Sequence, residues 1–332
     1  MTVKTKGEQR IVILGAAGFI GYHLAKFLNE TRGLEILLID NFIRGENDFE
    51  FKKLIKSDGV VFKELDLTQE SSFIDLFTSN DIVINCAALN GTQNFYEKPV
   101  QVIRNSAISA VYAAEFCAKA NVKKYVYFAS SESYAGGVTM GYTQVPTVEN
   151  VPLVIQDVCN PRWSYAASKT LGEVAVIANH HQNNLQFVIL RIHNVYGPRM
   201  GLKHVIPDLI HKFNSNNMQV HGVTETRAFF YVDDLNRILY ELITGNKIPS
   251  NSIYNVGSTK EISVLELSKL LLKEMNLDLE IEPIDSFVGS VPRRCPDTSL
   301  IRSFYEYTET DLVIGLQKTL SWYNKTSGKS FK

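Results

Sequence analysis

Two residues one helical turn apart carry the clearest chemistry in this sequence: Tyr165 and Lys169, in the run Tyr165-Ala-Ala-Ser-Lys169. Positions i and i+4 share a helix face, so phenol and ammonium can enter one cleft. A free tyrosine ionises at a pH of about 10 and is a poor base near neutrality. A neighbouring ammonium and an oxidised nicotinamide lower that value, and the phenolate then takes a hydroxyl proton as hydride leaves the same carbon. A second run, Ser130-Ser131-Glu132, ends an apolar stretch that starts at Tyr125. Ser130 or Ser131 offers a hydrogen bond to the reacting oxygen. Glu132 offers a second acid/base, although Ser and Glu equally suit a turn or helix cap.

Hydride transfer needs an acceptor, and the N-terminal run Ile11-Val-Ile-Leu-Gly15-Ala-Ala-Gly18-Phe-Ile-Gly21 is built to hold one. Gly15 permits a tight turn, Gly18 lets a pyrophosphate approach the backbone, and Gly21 lets the next helix pack closely. The helix N-terminus then offers free N–H groups to the phosphates. Asp40 follows about 20 residues later at the end of a second apolar run, where an acid meets the adenosine ribose hydroxyls and repels a 2′-phosphate. The cofactor expected is therefore NAD. Arg44 either softens that preference or is a solvated loop arginine. Asp66-Leu67 either holds the adenine edge or makes a turn.

Elements must place these groups. Short apolar runs at 11–14, 36–39, 60–62, 82–85, 125–128 and 188–191 alternate with helix-period segments at 20–30, 70–77, 100–119 and 164–180. That alternation predicts βαβ units: an α/β, doubly wound parallel sheet of Rossmann type, with active groups at strand C-termini. After Gly197 the pattern loosens, with helices at 264–275 and 311–323. The expected division is a cofactor domain over 1–190, with 226–256 returning to it. A smaller C-terminal α/β substrate lobe covers 191–225 and 257–323, and a loose tail 324–332.

The chain has 332 residues, 45% apolar and 21% charged, with a net charge of −1. No global field draws it to nucleic acid or membrane. Cys86, Cys117, Cys159 and Cys295 lack metal or disulfide spacing, the seven histidines lack ligand spacing, and no apolar run reaches a membrane span. A cytoplasmic protein without a metal is expected. His180-His181 reads as a helix end, Phe229–Tyr231 as core, and His193 as either cleft lining or core.

These runs, taken in order with Asn85-Cys-Ala-Ala88, Arg191-Ile-His-Asn-Val-Tyr-Gly-Pro-Arg-Met200, Arg227…Tyr231-Val-Asp-Asp234 and Tyr254-Asn-Val-Gly257, resemble the extended short-chain dehydrogenase/reductases. Within them the likeness is to the NAD-dependent sugar-nucleotide epimerases, dehydratases and decarboxylases, from about residue 10 to residue 323. The resemblance implies a six- or seven-stranded Rossmann domain and a nucleoside diphosphate sugar as substrate. It implies cofactor contacts from Phe19, Ile20, Asn41, Ala87 and Ala88 beside the glycines, Asp40, Asp66, Leu67, Tyr165 and Lys169. It also implies substrate contacts from Asn194, Arg199, Arg227 and Arg294, with Arg227 and Arg294 otherwise forming structural ion pairs. A homodimer through a four-helix bundle is implied, with 100–119 and 164–180 as the matching helices.

In that family oxidation at sugar C4 comes first. Return of hydride to the other face epimerises; loss of water dehydrates; a uronic acid loses carbon dioxide; release of the ketone is net 4-dehydrogenation. Ser130-Ser131-Glu132 and Gly197-Pro-Arg199-Met200 are similar to the decarboxylases, whereas dehydratases usually carry Asp-Glu after the hydroxyl residue. Asn90-Gly-Thr-Gln-Asn-Phe95 is more like the 3,5-epimerase branch, and Tyr134-Ala-Gly136 departs from the usual Tyr-Gly. An epimerase or dehydratase type is the first expectation, a decarboxylase or 4-dehydrogenase the second, and a non-catalytic NAD sensor the alternative of another class.

Overall fold

A computed structural model describes residues 9–31, 34–286 and 290–326. Seven parallel strands form one sheet: β1 (Arg10–Leu14), β2 (Glu35–Asp40), β3 (Val60–Glu64), β4 (Asp81–Asn85), β5 (Lys124–Ser130), β6 (Phe187–Ile192) and β7 (Ser252–Val256). Their spatial order is β7-β6-β5-β4-β1-β2-β3, so the winding reverses between β1 and β4. Ile11 and Ile13 bury toward one face and Val12 and Leu14 toward the other, the period of two expected of a strand covered on both sides. Helices α1 (Phe19–Thr31) and α5 (Val232–Thr244) pack on the first face. Helices α2 (Ser109–Lys119) and α3 (Ser164–Asn183) pack together on the second.

Tyr165, Lys169 and Glu173 form an i, i+4, i+8 stripe along α3, and all three are buried. The helix ends at Asn184, which takes the left-handed conformation of a C-cap.

The smaller strands lie beyond the main sheet. Val195–Tyr196 pairs with Phe230–Tyr231, and Thr226–Ala228 sits between Glu261–Ser263 and Arg293–Arg294. Helices α4 (Val205–Asn214), α6 (Val264–Glu274) and α7 (Leu312–Thr326) complete this lobe. The chain thus rejoins the main body only after 226–228, through α5 and then β7. A capping box, Ser263 with Glu266, starts α6.

Several expectations change. The helix expected at 70–77 is one short turn, Glu70–Phe73, because Ile74 turns extended (ψ 125°) and Asp75 then takes a positive φ of 53°. The helix expected at 100–119 opens into a π-helical turn at Arg104–Ile108. The tail expected from 324 is helical through Thr326; residues 327–332 lie outside the described ones. Phe230 and Tyr231 are core residues, 1% and 3% exposed. His180 closes its helix end with Nδ1 2.9 Å from the Leu185 carbonyl oxygen. All four cysteines are free thiols.

Candidate active site

The β1–β4 reversal opens a cleft at the strand C-termini, where open α/β sheets hold ligands. Gly15 forms its floor with φ +81°, and a Cβ there would stand 2.7 Å from the Ala87 backbone. Gly21 lies so close beneath that its Cβ would stand 2.3 Å from the Gly15 carbonyl oxygen. Asp40 is tied to this turn: its carboxylate accepts from Ala17 N at 2.9 Å and Phe42 N at 2.8 Å. Burial raises the Asp40 pKa, and these N–H groups oppose the rise. Gly18, Phe19, Ile20 and Asn41 line the cleft, as do Leu67, Ala87 and Ala88 further along. A groove with a bare-backbone turn and a carboxylate at its ribose end fits a dinucleotide. Asp66 is not on the lining; its carboxylate accepts from Thr68 N at 2.9 Å and caps a turn.

The chemical residues meet at the other end. Tyr165 and Lys169 line the cleft with Ser130, Ser131 and Glu132. The side chains of Ser130 and Asn90 stand near enough to the Tyr165 hydroxyl to favour its ionised form. Its ring stacks on Phe95, with centroids 5.1 Å apart and 14° between planes. Lys169 Nζ donates to the Phe128 carbonyl oxygen at 2.7 Å and lies 5.8 Å from the Tyr165 ring centroid. Burial pulls the Lys169 pKa down to about 8. Burial also raises the Tyr165 pKa well above its usual value, and Arg44, not Lys169, is the main charge opposing that rise. The ammonium expected to activate the phenol in the resting protein is engaged elsewhere.

Glu132 needs the largest correction. Its carboxylate bridges Arg162 at 2.9 Å and Arg294 at 2.5 Å. Burial disfavours its charge, but Arg294 and Arg162 together hold its pKa down at about 2. Such a group stays ionised with no proton to donate, and its two ion pairs make it a weak base, so it serves as an anchor for two arginines. The folded value lies below the ordinary 4.5. Its stabilisation is therefore complete above that value and lost as pH falls toward 2, on the order of 3 kcal/mol in all. Urea unfolding at a pH of about 6 and about 3 checks this: Glu132→Gln, less stable at the upper pH, loses less than the wild type on acidification.

The expected substrate residues divide. Asn194 (φ +35°) and Arg294 line the cleft. Asn194 Nδ2 and Asn90 Oδ1 are buried with no hydrogen-bond partner among the described residues. Arg199 is not on the cleft: it binds Asp48 at 2.7 Å, the Ala17 and Glu46 carbonyl oxygens at 3.0 and 2.8 Å, and covers the Tyr22 ring. It staples the loop after β2 to the glycine turn. Arg227 pairs with Glu225 at 2.7 Å and is also absent from the lining, though close enough to Arg294 for that charge to help lower its pKa, after burial, to about 10. His193 is 2% exposed against the Tyr134 ring, a core histidine.

Three site residues escaped the reading of the sequence: Arg162, His204 and the stacking role of Phe95. Nothing local signals the first two, since their partners lie far away in the chain. Arg44, expected either to temper the preference at the ribose or to be a solvated loop arginine, instead reaches the Asn90 carbonyl oxygen and His204 Nε2, the latter at 2.7 Å.

Comparison with known proteins agrees with this architecture. A dTDP-D-glucose 4,6-dehydratase of Dictyostelium discoideum is 27% identical over 269 residues, 80% of this chain and 62% of that protein. A UDP-N-acetyl-alpha-D-glucosaminuronate decarboxylase of Bacillus cytotoxicus is 26% identical over 330 residues, 96% of this chain and 98% of that protein. The structure of a dTDP-glucose 4,6-dehydratase from Streptomyces venezuelae, solved with NAD bound, superimposes with a TM-score of 0.85 at 21% identity, covering 96% of this chain and 98% of that one. It shares the fold. The model of the NAD dependent epimerase/dehydratase family matches residues 11–257, and the chain belongs to that family, with NAD as its cofactor.

Proposed function

We propose that this enzyme oxidises a nucleoside diphosphate sugar at C4 and returns the hydride to the opposite face, as a 4-epimerase. The observation that carries the reading is that Tyr165, Ser130 and Lys169 line the same cleft as Gly15 and Asp40, with Ser130 near enough to favour the ionised phenol. Gly15, Gly18 and Gly21 would hold the cofactor phosphates and Asp40 its ribose hydroxyls. NAD, when bound, supplies the hydride acceptor and a positive ring beside the phenol. Tyr165 accepts the C4 hydroxyl proton, and Ser130 steadies the oxygen. Lys169, a turn along α3, holds positive charge in the same wall. Asn194 Nδ2, buried without a partner among the described residues, is a donor for the substrate diphosphate, with Arg294 on the lining of the same cleft.

Epimerisation is favoured over dehydration because water loss needs a proton donor where this chain has Ser131 and an ion-paired Glu132. We assign the cofactor to the sheet and the sugar nucleotide to the C-terminal lobe. The exposed apolar residues Val100, Ile103, Leu171 and Val174, on neighbouring helices, support a homodimer through that face. Among the described residues no helix is long and apolar enough to cross a membrane.

The test is incubation of the NAD-loaded enzyme with UDP-, GDP- and dTDP-sugars, including uronic acids, read by mass spectrometry and chromatography. A product of unchanged mass and altered retention is expected. Loss of water, carbon dioxide or two hydrogens replaces epimerisation by dehydration, decarboxylation or 4-oxidation. No product from any sugar moves the chain to a non-catalytic NAD sensor.

A further inference from the structure

Arg44 is the one expected loop residue whose position has no account in the reaction above. Its backbone neighbour Gly45 rests on the glycine turn: a Cβ on Gly45 would stand 2.6 Å from Ala17 Cβ and 3.0 Å from Gly18 N. Glu46 N also donates to the Ala17 carbonyl oxygen at 3.2 Å. The Arg44 side chain therefore starts beside the phosphate-binding turn. It ends on the opposite wall, at the Asn90 carbonyl oxygen and His204 Nε2, and Arg44, Asn90 and His204 all line the cleft. A dinucleotide running from Gly18 toward Tyr165 passes this guanidinium.

Its partners are neutral. One is a carbonyl oxygen, the other an imidazole that burial, and then Arg44 itself, keep uncharged with a pKa of about 3. No carboxylate pairs with Arg44 among the described residues, unlike Arg162, Arg191, Arg199, Arg227 and Arg294. A cation withdrawn from water and met only by neutral acceptors is under-compensated, and an anion stabilises it more than either present partner. Its guanidinium ends at Asn90 and His204, and no hydrogen bond among the described residues ties it to Asp40, the carboxylate at the ribose end.

We propose that Arg44 is a cofactor clasp, a guanidinium that turns from Asn90 and His204 onto the pyrophosphate of bound NAD, on the side opposite the glycine turn. The turn supplies N–H groups from one wall, and Arg44 supplies a charged fork from the other. The pyrophosphate is the anion, and not the phosphates of the sugar nucleotide, because residue 45 sits on the turn that takes the cofactor phosphates. His204 and Asn90 hold the side chain across the cleft before binding, so little rotamer freedom is lost when the clasp engages.

Binding measures this without turnover. Titrating the NAD-free full chain with NAD, adenosine and UDP separates the arms. Arg44→Gln is expected to weaken NAD binding by about 10- to 100-fold, the value of a charge-assisted hydrogen bond, mostly through faster release. Adenosine, which lacks phosphates, binds as in the wild type, and Arg44→Lys recovers most of the NAD affinity. NAD affinity within about twofold of wild type in Arg44→Gln, well under one such bond, overturns the proposal. So does an equal loss of adenosine binding, which is general damage to the cleft. A loss confined to UDP also overturns it and gives the arginine to the substrate. None of these outcomes depends on the role of Tyr165.

Discussion

Tyr165→Phe is expected to lower turnover by roughly 10²- to 10⁴-fold, the range supplied by a positioned general base, while NAD still binds. The substitution removes one oxygen and keeps the ring. The stack on Phe95 depends on that ring alone, at 5.1 Å and 14°, so α3 keeps its seat. Ser130 and Asn90, which lie near the hydroxyl, do not belong to the glycine turn that would grip the cofactor. Turnover of whichever sugar nucleotide reacts, alongside a NAD titration of the same variant, decides the matter. Wild-type rates would remove Tyr165 from the mechanism. Equal loss of cofactor binding would mean that the phenol is a structural contact only.

The second large effect falls on stability. Glu173 and Arg191 are 4% exposed each, on α3 and β6. Arg191 Nε bonds both Glu173 carboxylate oxygens at 3.0 and 3.2 Å, and its NH2 group adds a third bond at 2.7 Å. The other guanidinium nitrogen donates to the Tyr134 hydroxyl and the Glu149 carbonyl oxygen, both at 2.8 Å. Glu173→Ala strands this cation in the core, which costs about 3–5 kcal/mol. At roughly 2.1 cal/mol/K of unfolding entropy per residue, that lowers Tm by about 4–7 °C in a chain of this length. Replacing both partners by Leu and Met removes the stranded charge, so the double variant should lie much nearer wild type. A single variant that melts with the wild type would show that the pair contributes nothing. Because Glu173 shares its helix face with Lys169 and Tyr165, the loss should appear first as a loosened catalytic helix and reduced turnover.

Much of this was legible in the residues. The glycine turn, the carboxylate ending β2 and the alternation of strands and helices are short-range signals. Each depends on backbone freedom or on a period of 2 or 3.6, which neighbours in sequence set by themselves. The Tyr165/Lys169 pair was visible for the same reason, since helical spacing alone puts both on one face. Ile74 and Asp75 show the limit: an extended residue followed by one with positive φ shortened an expected helix to a turn.

The arginines were decided elsewhere. As residue types, Arg44, Arg199, Arg227 and Arg294 are interchangeable candidates for phosphate. Their roles follow from which acid the fold brings to each: Asp48 for Arg199, Glu225 for Arg227, Glu132 for Arg294, and, among the described residues, none for Arg44. Glu132 changed from an acid/base to an ionised anchor because Arg162 and Arg294 converge on it from 30 residues and more away. His204 entered the cleft only because the chain returns 160 residues later to face Arg44. Sequence thus settled the fold and the family and put Tyr165 and Lys169 on one helix face, where the physics is local. The state of each charge in the cleft depends on burial and on partners distant in the chain, and the tertiary structure alone assigns those.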